Sequence, residues 1–168
     1  AFTEDGYFRT GDAGRMEGNT LFFTERIKDL YKTSNGKYIA PQAIEMVMSG
    51  DQYIEQIAVI GDQRKFVSAL IVPAYSLLEK YAEEKGLAIG SREELVRNKE
   101  VLRLIETHIE ENQKNLASYE KIKRFTLLSE PFTMGSELTD TLKLRRSVIL
   151  KKYADSIEKL YEEASNLS

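Results

Sequence analysis

The sequence predicts a small α+β domain: a three-stranded core sheet with helices packed against it, and a separate β-ribbon near the start. Three observations carry that prediction. Ile54–Ile60 and Phe66–Val72 are two largely apolar runs joined by Gly61-Asp62-Gln63-Arg64-Lys65, the pattern of a buried hairpin. From Ser76 the spacing turns helical, and Val101, Leu102, Ile105 and Ile109 share one face. Phe125–Leu128 then returns to a short strand-like run, which supplies the third strand. A chain of 168 residues with 42% apolar content suffices for one core of this kind.

Taken in order, residues 1–25 hold strand-like Phe8, Leu21, Phe22 and Phe23 among the turn residues Gly6, Gly11, Gly14 and Gly18. They are too few to build a core, so they are expected to be the tail end of a larger preceding domain, with residues 26–168 forming the domain proper. A ribbon runs out through Arg26–Lys32, turns at Ser34-Asn35-Gly36 and returns through Lys37–Ile39, since Asn-Gly between strand-like runs is a hairpin signal. Pro41 suits a first helical turn; Ile44, Val47 and Met48 are expected on one face, and Gly50 is expected to stop that helix. Pro73 ends the second core strand. Ser76–Lys85 is expected to be helical and closed by Gly86; Ser91-Arg92-Glu93-Glu94 reads as a capping box; Lys99–Asn115 is the next helix. The loop Glu130–Leu142 ends on Lys143, and one long helix is expected behind it, with Leu150, Tyr153, Ile157, Leu160 and Tyr161 facing inward.

Composition excludes several classes of function. A net charge of -3 argues against a nucleic-acid partner. No apolar run approaches the ~18 residues of a membrane span, so any membrane association would belong to parts of a parent protein not visible here. The absence of cysteine removes disulfides and thiolate metal sites. His108 is the sole histidine and has no second histidine or cysteine to share a metal, so it reads as an ordinary core or surface residue and no metal site is expected. No charged-then-apolar leader opens the chain; with the lack of cysteine, this predicts a cytoplasmic location. There is no Gly-rich phosphate loop of the Walker type.

Lys143 sits at the end of Leu138-Thr139-Asp140-Thr141-Leu142. An ammonium is a compact charge with three donors on a flexible stem, suited to spanning a phosphate and a carboxylate; a solvated surface lysine is the ordinary alternative. Asp12, after Thr10-Gly11, can accept two hydrogen bonds from a ribose diol, or can simply bond its own turn. The Arg145-Arg146 and Lys151-Lys152 pairs are either solubilising surface or candidates for a phosphate.

The segments Gly6–Arg15, Glu25–Lys32, Asn35–Glu45 and Leu138–Arg146 together resemble the closing motifs of the AMP-forming acyl- and aryl-CoA synthetases, the adenylate-forming enzymes, and most of all the long-chain fatty acid–CoA ligases. The resemblance covers essentially the whole chain and implies a C-terminal lid domain. It implies that Asp12 and Arg26 reach the ribose of ATP or AMP, that Lys28 and Asp29 form a pivot, and that Lys32 and Gly36 swing in on the CoA side. Lys143 would be the catalytic residue of adenylation. ATP and CoA are the implied cofactors, with Mg²⁺ arriving on ATP and held mainly by a large N-terminal domain, the implied partner; a fatty acid is the substrate. It also implies that this chain alone is inactive, because no segment can hold an adenine ring or an acyl chain. Asp140 stands where the family pattern has proline, and is a candidate tether for Lys143 when the loop is idle. A synthetase that loads a carrier protein instead of CoA would carry nearly the same motifs, and a stand-alone partner-binding module is the non-enzymatic alternative.

Overall fold

The structure, a computed structural model, describes residues 12–17, 20–26 and 30–165, and the side chains of residues 30–163. Asp12–Glu17 (β1) and Thr20–Arg26 (β2) pair antiparallel, with a register shift between Ala13 and Gly14. Tyr31–Lys32 (β3) and Tyr38–Ile39 (β4) pair about the Ser34-Asn35-Gly36 turn as a ribbon shorter than expected: Arg26, expected to open it, instead ends β2 and pairs with β1. Pro41–Ser49 (α1) comes next, with Pro41 in its first turn as predicted.

Ile54–Ile60 (β5) and Val67–Pro73 (β6) form the core hairpin. Tyr75–Glu84 (α2), Arg92–Leu95 (α3) and Lys99–Asn112 (α4) lead to Ile122–Leu127 (β7), which pairs parallel with β6. The strand order β5-β6-β7 makes β6 central, and every one of its residues is buried. That explains its continuous apolar sequence, where an exposed face would have produced alternation. Arg146–Lys152 (α5) and Ala154–Ser165 (α6) close the chain. The predicted α+β class and three-stranded core are therefore what is found. Among the described residues, no helix is long and apolar enough to cross a membrane.

Polar side chains fix the strand ends. Gln113, buried in full, donates to Ile122 O (3.1 Å) and accepts from Ile122 N (2.8 Å), setting where β7 begins. Gln56 does the same for the backbone of Phe132. Ser91 accepts from Glu94 N at 3.2 Å, as the capping box requires, while the Glu94 carboxylate reaches one residue further back, to Gly90 N (2.8 Å). A β-carbon on Gly61 would stand 2.9 Å from the Ile39 side chain, so glycine is what lets the β5–β6 loop pack against the ribbon.

The structure corrects three local expectations. Val47 is exposed: Ile44 and Met48, four residues apart, make the buried line of α1, and Val47 turns away from it. Gly50 caps that helix as expected, in the right-handed region (φ -78°), and Asp51 N bonds Met48 O (3.1 Å). The α4 helix ends at Asn112, short of Asn115, where Gln113 leaves the helix to hold β7. The final helix breaks at Tyr153 (φ -105°, ψ 20°). The break buries Ile149 before it and Ile157 and Leu160 after it, and leaves Leu150 exposed.

Candidate functional site

Lys143 lies at the tip of a miniature hairpin. Leu138 and Leu144 form an antiparallel bridge, and Arg145 N donates to Glu137 O (2.7 Å), so residues 137–139 and 143–145 are the stems. Thr139 locks the tip with three backbone and side-chain bonds. Its N donates to Lys143 O (2.8 Å), its O accepts from Leu142 N (2.9 Å), and its Oγ1 accepts from Lys143 N (3.1 Å). Closing so tight a turn puts Leu142 in the left-handed region (φ 62°), which is costly for a residue with a β-carbon. The Lys143 side chain is exposed, and among the described residues its ammonium has no ion pair, hydrogen bond or ring contact. It lines an open groove of about 760 Å³ with Gln42, Glu45, Met46, Gln56, Leu142 and Arg146. Asp140 forms no ion pair with it, so the tether suggested by sequence is not made in this conformation.

Each stem is held by an ion pair. On the entry side the Glu137 carboxylate is 1% exposed, accepts from Thr133 N (3.1 Å) and Thr133 Oγ1 (3.3 Å), and pairs with Lys152. Burial pushes this carboxyl up, but the Lys152 ammonium and the Thr133, Glu137 and Ser136 donors outweigh it and bring it down to about 2. On the exit side Arg146, the first residue of α5, makes a two-pronged bond to Glu45 (2.6 and 3.0 Å) and reaches Tyr31 Oη (3.4 Å). Glu45 Oε2 also accepts from Val59 N (2.9 Å), an N–H on the edge of the core sheet. Burial acts to lower the Arg146 pKa, and the Glu45 carboxylate overcomes it. Burial raises that of Tyr31. Arg145 donates to the carbonyls of Gly135 (3.4 Å) and Ser136 (3.2 Å). Arg146 and Lys152 are thus engaged within the fold, which removes them as the free phosphate contacts their sequence pairs suggest.

The ribbon repeats the Thr139 lock. Thr33 N donates to Lys37 O (2.8 Å), Thr33 O accepts from Gly36 N (2.9 Å), and Thr33 Oγ1 accepts from Lys37 N (3.2 Å). Gly36 takes the left-handed position (φ 81°), and no atom lies within 4 Å of where its β-carbon would be. The ribbon docks on the β5–β6 loop through Gln63 N to Lys32 O (2.9 Å) and Ser34 N to Arg64 O (2.9 Å). The Lys32 ammonium rests 5.7 Å from the Tyr38 ring centre. No residue of this ribbon lines the Lys143 groove, so Lys32 and Gly36 form a second locus; Tyr31, under Arg146, lies between the two.

Asp12 and Arg26 are register partners across β1 and β2, which brings the two expected ribose residues opposite one another in the backbone. The pivot residues Lys28 and Asp29 lie outside the described residues. His108 Nδ1 donates to the Asp51 carboxylate (2.7 Å), which also accepts from Asn112 Nδ2 (2.9 Å), a structural tie between the end of α1 and α4. Sequence reasoning missed Glu137 and the pairing of Glu45. Glu45 sits inside a recognised segment, but its partner lies 101 residues away, and nothing local marks either carboxylate.

Residues 28–165 match the family model described as the AMP-binding enzyme C-terminal domain. The mouse long-chain-fatty-acid–CoA ligase 5 is 36% identical over 164 residues, which is 95% of this chain and 24% of that protein. The adenylation domain of a carboxylate reductase from Mycobacterium chelonae superposes with a TM-score of 0.73 at 30% identity, over 96% of this chain and 24% of that one. The A-PCP didomain of the carboxylic acid reductase from Segniliparus rugosus, solved with AMP, gives 0.66 at 25% identity, over 98% and 22%. The chain spans about a quarter of the length of the curated relatives it matches.

Proposed function

We propose, since this chain belongs to the AMP-binding enzyme C-terminal domain family, that the longer protein it serves is an ATP-dependent, AMP-forming acid–thiol ligase acting on long-chain fatty acids. In the first half-reaction a carboxylate oxygen of the fatty acid attacks the α-phosphorus of ATP. The new O–P bond forms as the bond to the β-phosphate breaks, and pyrophosphate leaves with its electron pair. Negative charge collects on the oxygens around phosphorus, and a positioned cation stabilises it. Lys143 is that cation. In the second half-reaction the thiol sulfur of CoA attacks the acyl carbonyl, AMP leaves, and the thiol proton passes to solvent.

A single domain serves both steps by turning about Lys28 and Asp29, presenting first the Lys143 groove and then Lys32 and Gly36. The open space about Gly36 suits the close approach of the pantetheine arm. Asp12 and Arg26, opposed in register, hold the ribose. Mg²⁺ neutralises the phosphates when bound with ATP. The ATP phosphates and the larger protein would supply its ligands.

The observation that carries this reading is Lys143 itself: an ammonium with no partner among the described residues, at the tip of a locked hairpin and beside an open groove. The test is Lys143→Ala in the full-length protein. ATP–pyrophosphate exchange with a fatty acid should fall about 10²–10³-fold, by analogy with removal of an oxyanion donor. Thioester formation from supplied acyl-adenylate should survive. Equal loss in both half-reactions would assign Lys143 a structural role instead. The likeness to the A-PCP didomain favours a second reading, in which a carrier-protein thiol replaces CoA; offering both acceptors to the full-length enzyme separates the two.

A further inference from the structure

The Lys143 hairpin is a short polar loop, yet its ammonium must be presented within a fraction of an ångström to act on one transition state. Its tip is held by Thr139 alone, and that lock fixes only the shape of the turn. What fixes the turn relative to the rest of the domain must act on the stems. The exit stem runs through Leu144 and Arg145 directly into Arg146. A guanidinium gripping a carboxylate with both prongs fixes angle as well as distance, which a single contact cannot do. The carboxylate is itself held: Glu45 is built on α1 and bonds the edge N–H of Val59 in the core sheet. The third contact, Tyr31, lies on β3, the strand by which the chain enters the domain. One fork therefore joins four parts of the fold: the entry strand, the first helix, the core sheet and the stem of the lysine hairpin.

We propose that Glu45 and Arg146 are positioning residues for Lys143. The fork makes the hairpin part of the same rigid body as the entry strand, so that a rotation of the whole domain is transmitted to the ammonium without slack. Both residues border the Lys143 groove, but their charged groups are engaged by each other, by Tyr31 and by Val59 N. The proposal rests on the assignment of Lys143 to the adenylation step.

The experiment uses the full-length protein carrying Arg146→Lys, Glu45→Gln, or the charge-exchanged pair Glu45→Arg with Arg146→Glu, beside Lys143→Ala. Arg146→Lys keeps the charge and loses the fork. We expect kcat for pyrophosphate exchange to fall about 10- to 100-fold in Arg146→Lys and Glu45→Gln, the scale of a displacement near 1 Å, with KM for ATP little changed. Thioester formation from supplied acyl-adenylate should stay near the parent rate, and the exchanged pair should recover part of the exchange activity lost by the single variants. A merely structural contact would lower both half-reactions together, along with the thermal midpoint, and that result overturns the proposal. So does full exchange activity in Arg146→Lys and Glu45→Gln while Lys143→Ala is inactive, an outcome that leaves the role of Lys143 standing. Full exchange activity in Lys143→Ala removes the premise, and the proposal with it.

Discussion

The turn at Thr33–Lys37 and the turn at Thr139–Lys143 are the same piece of local structure. Each begins on a threonine whose N, O and Oγ1 all bond the residues three and four places on. Each puts its fourth residue in the left-handed region and ends on a lysine. They differ in how the surrounding residues use that frame. Lys37 rests its ammonium 5.6 Å from the Tyr119 ring centre, whereas the Lys143 ammonium has no partner among the described residues. The first turn uses glycine at the left-handed position; the second uses Leu142, 64% exposed, at a backbone cost of about 1–2 kcal/mol. The first docks by backbone hydrogen bonds and the second by ion pairs at both stems. The shared frame makes a tip; the residues around it decide whether the tip offers open space or a charge.

The contrast between the turns breaks if their lysines prove interchangeable. Lys143→Ala should reduce pyrophosphate exchange about 10²–10³-fold, while Lys37→Ala should leave exchange within about twofold of the parent, as exposed surface changes ordinarily do. A comparable loss in both would show that the frame, not the free ammonium, carries the chemistry.

The ion-paired stem can be probed by pH. The Glu137 carboxyl is held at about 2 against its ordinary 4.5, so its stabilisation is fully present above pH 4.5 and is lost as pH falls through about 2. The displacement corresponds to at most about 3 kcal/mol, trimmed because Lys152 is 47% exposed. Urea midpoints measured from pH 6 to pH 2 should fall in the parent and fall less steeply in Glu137→Gln. Parallel slopes would mean that Glu137 titrates alike in the folded and unfolded chains.

Exchanging the left-handed residues gives the smaller effects. Gly36→Leu should cost about 1–2 kcal/mol in stability from backbone strain alone, since nothing crowds the position. It should slow transfer to CoA more than adenylation, because the side chain fills the open space at the tip. Leu142→Gly should change the thermal midpoint least, as relieved strain is offset by the greater freedom of glycine in the unfolded chain. A clear stabilisation by Leu142→Gly would show that the strain there exceeds that offset.

What the sequence made legible was whatever is encoded within a few residues. The Ile54–Val72 hairpin, Pro41 at a helix start, Gly86 at a helix end, the Ser91 cap and the Asn35-Gly36 turn each carry their own local signal and stand where expected. The loop that carries Lys143 was legible because its segment resembles a known motif. The break at Tyr153 was not, since the residues 146–165 hold no proline or glycine to announce it and packing alone imposes it. Nor were Glu45 and Glu137 legible as clamps: a glutamate on a helix and one in a loop look like solvated surface until their distant partners are seen. Local signals thus marked the tips, while the ion pairs that attach one of them to the fold are long-range.

The parallel pairing of β6 with β7 has a kinetic consequence. The β5–β6 hairpin closes across a loop of a few residues, but β7 reaches β6 only after the span from Ala74 to Lys121 has been gathered in. Closing that span costs chain entropy before any contact repays it. Until it closes, one edge of the most apolar strand in the domain stands bare, a template for pairing with another unfinished chain. The helices α2, α3 and α4 lie within that span, so their folding sets how long this edge stays open. Lengthening them trades speed and safety of folding for whatever surface they add.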